Sequence, residues 1–181
     1  MECRKNEGNV FEHSVGEYVV YRNGCIYRIA DIRREDLCGD GARMYYVMQP
    51  VFEERSLTYV PADSCEVGRI MRKVLSREQI DSAIEAAETK ELDWPSDSKA
   101  RAASFEKVIV EGDAAGTLLI FKKLSEYKRS IEKNKKKLYA SDARILANAE
   151  KAVTEEFAFS LGIDKNQVIP YIKARLEAKE N

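Results

Sequence analysis

The chain has 181 residues, 44% apolar and 34% charged, with a net charge of −1. That is an ordinary globular composition with room for one or two cored domains. No apolar run approaches the roughly 20 residues that span a bilayer, and so small a net charge argues against tight DNA binding by this chain's bulk charge alone. Residues 1–9 are polar and lack a signal-peptide core, so a cytoplasmic protein is expected. Cys3, Cys25, Cys38 and Cys65 are widely separated and His13 is the single histidine. Free thiols are therefore expected, with no zinc site and no cofactor.

In chain order, Tyr18–Tyr21 reads as a first strand. Arg22-Asn23-Gly24 is a hairpin turn, because Asn-Gly tolerates positive φ. From Cys25 to Ile32 the residues alternate, Ile26, Arg28 and Ala30 on one face and Tyr27, Ile29 and Asp31 on the other. Residues 33–41 read as a polar loop. Met44–Met48 is the next strand, stopped by Pro50, and Leu57–Val60 is a fourth, closed by Pro61. Four or five short strands in about 55 residues predict a small SH3-like or Tudor-like β-barrel.

Helical signals begin at Ser76, where Ser76 and Gln79 form a capping box. Ile80, Ala83, Ile84 and Ala87 follow at helical spacing. A linker, Lys90–Pro95, leads to Asp97, which can cap a second helix bearing Ala102, Phe105, Val108 and Ile109 on one side. Gly112 stops that helix and Asp113 can cap its successor, whose apolar stripe is Leu118, Leu119, Phe121 and Leu124. A further helix is predicted over 142–160 with Ile145, Leu146, Ala149, Val153 and Phe157 inward, ending at Gly162. Asp164 and Gln167 resemble a second capping box, opening a last helix with Val168, Ile169, Tyr171 and Ile172. The fold class is α+β: a β-barrel domain over 10–70, then an all-α domain over 71–181.

Two features stand out from this frame. Residues 121–140 carry eight Lys/Arg against Glu126 and Glu132, a block of +6 within a chain whose remainder sums to −7. Such a block fits a phosphate-facing patch or a solvated helix face equally well. The only tryptophan, Trp94, stands beside Pro95 at the junction of the two halves, close to Lys99 and Arg101. It can be a wedge for nucleic acid or a buried anchor, and burial is the commoner fate of Trp.

Catalytic signals are weak. There is no Gly-rich phosphate loop, GxSxG or HExxH. His13 is isolated, Cys25 lies in an apolar strand, and the pairs Glu53-Glu54 and Glu155-Glu156 read as surface carboxylates. An enzyme is not expected.

The ordered set of features resembles the CarD/CdnL-type bacterial transcription regulators in their longer, Firmicute-like form. Its first half is also similar to the RNA-polymerase-interacting domain of the transcription-repair coupling factor. The resemblance is carried by Val15–Tyr21 with Gly24, Tyr45–Met48, Tyr59-Val60-Pro61, Met71-Arg72 and Ser76-Arg77-Glu78. In the second half it is carried by Trp94, Arg101, Phe105, Gly112-Asp113, Leu124, Lys137-Leu138, Asp142, Leu146, Ala149 and Glu155–Ala158. It implies a Tudor-like module that binds the RNA polymerase β subunit through an exposed strand edge. It also implies a helical domain on promoter DNA near the −10 element, with Trp94 wedged at the fork of the bubble, so that the open complex is stabilised, for example at ribosomal RNA promoters.

Lys99, Arg101 and Lys135, Lys136 and Lys137 would neutralise phosphates, and Arg34, Tyr45 and Tyr59 would face the polymerase. The chain departs from the family in its shorter Tyr21-Arg22-Asn23-Gly24 turn and in Tyr59, which occupies a position where relatives carry a second arginine. The competing reading is a protein–protein adaptor in which Trp94 only packs the two halves and DNA plays no part.

Overall fold

The computed structural model describes residues 11–22, 24–37, 39, 41–52, 56–64 and 67–177. Asn23, Cys3, Cys38, Cys65, Glu53 and Glu54, singled out above, lie outside the described residues. Among those described, no helix is long and apolar enough to cross a membrane. The chain divides into two compact units: Met1–Tyr21 with Ile26–Lys73, which holds the sheet, and Arg22–Cys25 with Val74–Asn181, which holds the long helices.

The first unit is a five-stranded antiparallel sheet: β1 (Tyr18–Tyr21), β2 (Cys25–Glu35), β3 (Arg43–Pro50), β4 (Thr58–Pro61) and β5 (Met71–Lys73). Strands β1 to β4 form a meander and β5 returns to the opposite edge beside β1, giving the order β4-β3-β2-β1-β5. A four-residue helix, α1 (Val67–Ile70), precedes β5. Val19, Ile29, Tyr46, Met48, Val60, Val67 and Met71 form the core.

Strand β2 differs from expectation. It runs to Glu35, so Arg33 and Arg34 are strand residues rather than loop. Its alternation also breaks. Ile29 pairs with Met48 and Asp31 with Val47, leaving Ala30 as an unpaired extra residue, a β-bulge. Beyond the bulge the faces exchange. Ile32 stands opposite core residue Tyr46, whereas Arg33 stands opposite Tyr45 on the other face.

The second unit comprises α2 (Arg77–Thr89), α3 (Ser98–Val110), α4 (Ala114–Lys133), α5 (Ala140–Leu161) and α6 (Lys165–Glu177). Helix α4 packs along α5, with α2 and α6 against one part of the pair and α3 against another. The predicted apolar stripes supply two clusters. Ile80, Ile84, Leu118, Leu119, Val153, Phe157, Val168 and Ile172 belong to one, and Ala102, Phe105, Ile109, Leu124, Ile145, Leu146 and Ala149 to the other.

The helix starts follow local chemistry. Ser76 accepts from the Gln79 N–H while Gln79 accepts from the Ser76 N–H. Asp97 accepts from Ala100 N–H, and Asp113 from Gly116 N–H. Gly112 (φ 75°) and Gly162 (φ 66°) end α3 and α5 in the left-handed conformation that glycine adopts without steric penalty. At α6 the Asp164 N–H donates to Gln167, the reciprocal half of the predicted box.

Glu155 and Glu156 are a correction. Both are buried rather than surface residues. The Lys165 ammonium lies 2.8 Å from Glu155, and the Leu75 N–H donates to Glu156 at 3.1 Å. A carboxylate reaches the interior only with such partners.

Candidate functional site

In the helical unit the linker between α2 and α3 is fixed at both ends. Lys90 pairs with Asp113, the N-cap of α4. Burial pushes the Asp113 carboxyl up, but the hydrogen bonds from Lys90 and the Gly116 N–H, with the Lys90 charge, outweigh it and hold the group below its ordinary range. At the far end Arg101, one turn into α3, donates to the carbonyls of Pro95 (2.7 Å) and Ser96 (3.4 Å). Leu92 packs on both helical clusters. Trp94 therefore stands on a backbone held before and after it.

Its ring is propped from below. Phe105 meets it edge-on at 5.7 Å and Tyr127 at 5.4 Å between centroids. The Arg101 guanidinium lies 5.0 Å from the indole centroid and 6.0 Å from the Tyr127 ring. Trp94 nevertheless remains 37% exposed. The result falls between the two sequence readings: one part of the ring packs on the unit and the rest meets solvent.

Arg101 itself is only 3% exposed and Asp142 is fully buried. Arg101 Nε donates to Asp142 Oδ1 at 3.1 Å, and its second terminal nitrogen pairs with Oδ2. This is a bidentate pair inside the unit, so the guanidinium expected to meet phosphate is turned inward and committed to Asp142. Lys99, on the outer face of α3, is exposed.

Lys135, Lys136 and Lys137 are all exposed in the loop between α4 and α5. The end of α4 is a Schellman turn. The Lys135 N–H donates to Glu132 O (2.9 Å) and the Lys136 N–H to Ile131 O (3.1 Å). The residue at the left-handed position is Lys135 (φ 55°), where glycine is the usual occupant. Tyr139 closes the loop as the N-cap of α5, 63% exposed and without a side-chain capping bond.

In the sheet unit, β4 is an edge strand. Tyr59 on β4 meets the edge of Tyr45 at 6.4 Å. The arginine that joins them is Arg33, which donates to the Tyr59 hydroxyl at 2.8 Å and lies 5.7 Å from the ring centroid. Sequence reasoning missed Arg33, because the bulge at Ala30 is invisible in the pattern. Arg34 pairs opposite Met44, on the other face, and its Nε donates to Ala42 O across the hairpin. Tyr45 is buried and supports Tyr59, which is half-buried. Of the three residues expected to face a partner, Tyr45 and Tyr59 are brought together and Arg34 is not.

Among the described residues no cluster of His, Cys, Asp and Glu could hold a metal. His13 is buried, with Nδ1 3.2 Å from Glu17.

No curated protein matches the chain. Residues 13–75 match the family model of the CarD-like/TRCF RID domain. The match covers the five strands and the approach to α2. Over these residues, and so over its sheet, the chain is similar to the CarD-like/TRCF RID domain.

Proposed function

We propose that this protein is a non-enzymatic transcription regulator that binds the RNA polymerase β subunit through its sheet unit and promoter DNA through its helical unit, prolonging the open complex. The family match over the sheet supports the polymerase partner. In this reading the free side of β4 takes up a strand from the β subunit, flanked by Tyr59 and Arg33. Pro61 at the end of β4 has no N–H to offer and sets the limit of that pairing.

The observation that carries the DNA half is Trp94, an aromatic ring left 37% exposed while three side chains fix its orientation. A ring already held in place loses little freedom when it fills a splayed base step, so more of its stacking energy opposes bubble collapse. Lys99 and the loop lysines Lys135, Lys136 and Lys137 supply phosphate contacts, which position the protein without reading sequence. Arg101 acts from beneath, through Trp94. The polymerase and its sigma factor choose the promoter.

The decisive experiment is the lifetime of the open complex at a ribosomal RNA promoter with cognate polymerase, wild-type protein and Trp94→Ala. A longer lifetime with wild type, lost in the variant, is the expected result. Equal lengthening by both assigns the effect to the polymerase contact. No lengthening by either rejects the proposed function. The Phe105 and Tyr127 contacts give the adaptor reading its one support, since an anchoring Trp would make them too. That reading predicts a strong loss of stability in Trp94→Ala.

A further inference from the structure

The loop joining α4 to α5 is built unlike the junctions on either side of it. From α3 to α4 the chain places glycine at the left-handed position (Gly112) and aspartate at the N-cap (Asp113), and α5 also ends on a left-handed glycine, Gly162. Helices α2, α3 and α4 each begin on a side chain that accepts a backbone N–H: Ser76, Asp97 and Asp113. Between α4 and α5 the left-handed position holds Lys135, and the N-cap is Tyr139 with no capping bond. Both choices forgo local stability that the chain secures elsewhere. In exchange the loop gains a cation and a broad aromatic ring.

The exchange has a consistent chemical sense. Glycine and aspartate would leave a neutral turn followed by an anion. Instead the loop presents Lys135, Lys136 and Lys137, then Tyr139, which is more exposed than any other large apolar side chain among the described residues. Positions that break a local rule without local compensation mark functional surfaces. Lysines tracking a backbone beside an exposed ring are the elements of a single-strand site, where phosphates meet cations and a base stacks on the aromatic face. The loop is also tied to Trp94. Asp142, three residues beyond Tyr139, holds Arg101, and Arg101 underlies the indole.

We infer that Tyr139, with Lys135–Lys137, is a second aromatic contact for nucleic acid and stacks on a base of the DNA strand unpaired next to the step that Trp94 enters. The inference rests on the proposed function and adds a residue to it. Tyr139 engages any base, because stacking needs only a π-face, and so adds lifetime without adding promoter preference.

The test compares open-complex lifetimes at one promoter for wild type, Tyr139→Ala, Tyr139→Phe, Tyr139→Asp and Trp94→Ala, with thermal melting and β-subunit binding measured on each full-length variant. Tyr139→Ala and Tyr139→Asp are expected to cut the lifetime gain roughly fivefold or more, with β-subunit binding unchanged. Tyr139→Phe, which keeps the ring, is expected to retain it. Tyr139→Asp should melt higher than wild type because it restores an N-cap, separating loss of stacking from loss of fold. If Tyr139→Ala prolongs the complex like wild type while Trp94→Ala does not, the inference fails and the proposed function stands. If Tyr139→Phe loses as much as Tyr139→Ala, stacking is refuted in favour of a role for the hydroxyl. If wild type itself leaves the lifetime unchanged, the proposed function and this inference fall together.

Discussion

Arg101 and Asp142 form a buried bidentate ion pair between α3 and α5, directly beneath the exposed Trp94. The pair makes the tryptophan's orientation depend on a residue far from it in sequence. Removing either partner leaves an uncompensated charge in the interior, which costs about 3–5 kcal/mol. Arg101→Ala and Asp142→Ala are each expected to lose that much in urea unfolding followed by circular dichroism. Replacing both with apolar residues of similar volume should recover most of the stability. It should not recover the tryptophan emission of the wild type, because the guanidinium under the indole is gone. A loss below about 1 kcal/mol in the single variants would show the pair to be incidental.

Trp94→Ala should behave differently. Its ring makes two edge-on aromatic contacts, worth about 0.5–1.5 kcal/mol each, while Phe105 and the rest of the cluster stay in place. A modest fall in melting temperature and an intact circular dichroism spectrum are expected, alongside loss of the promoter effect. Iodide should quench the wild-type fluorescence, given the exposed part of the ring.

Lys135→Gly is predicted to stabilise the protein by about 1 kcal/mol, since glycine takes the left-handed conformation without the steric penalty of a Cβ. The same change removes a cation from the loop. If the loop meets phosphate, the more stable variant should shorten the open-complex lifetime relative to wild type and show a shallower dependence of that lifetime on salt. A variant that is more stable and fully active would assign Lys135 to solvent.

The α2–α6 contact should contribute to acid sensitivity. Burial pushes the Asp81 carboxyl up, but hydrogen bonds from Arg175 and Tyr171, with the Arg175 and Arg77 charges, outweigh it and hold the group below its ordinary value of 3.8. A depressed folded pKa contributes stability above the unfolded value, and that contribution is lost as pH falls through the folded value. Melting temperature should therefore drop from about pH 4 downward. Asp81→Asn should melt lower at neutral pH and show a flatter acid limb. An acid limb identical to wild type would place the sensitivity elsewhere.

Much of this architecture is legible in the residues. Ser76 with Gln79, Asp97, and the Gly112-Asp113 corner are local signals that act where they stand, and the apolar stripes of the helices need only a period. What could not be read depends on distance. Arg101 beside a tryptophan looks like a phosphate ligand until Asp142, 41 residues away, claims it. Glu155 and Glu156 look like surface charges until Lys165 and the Leu75 N–H arrive from other elements. Arg33 and Arg34 are indistinguishable neighbours, and only pairing with β3 shows which of them reaches Tyr59. The loop at Lys135 did carry one signal: no glycine stands anywhere between the two long helices that flank it.

The extra residue at Ala30 lets a strand whose sequence runs out of step with β3 come back into step beyond it. Met48, Val47, Tyr46 and Tyr45 are consecutive, and Ile29, Asp31, Ile32 and Arg33 stand opposite them in turn, so deleting that one alanine would leave a regular ladder with Ile32 still opposite Tyr46 and Arg33 still opposite Tyr45. A single-codon deletion at Ala30 should therefore spare the Arg33–Tyr59 contact and remove only the local bend and added twist of the bulge. The same deletion made at Arg33 would instead put Arg34 where Arg33 stands.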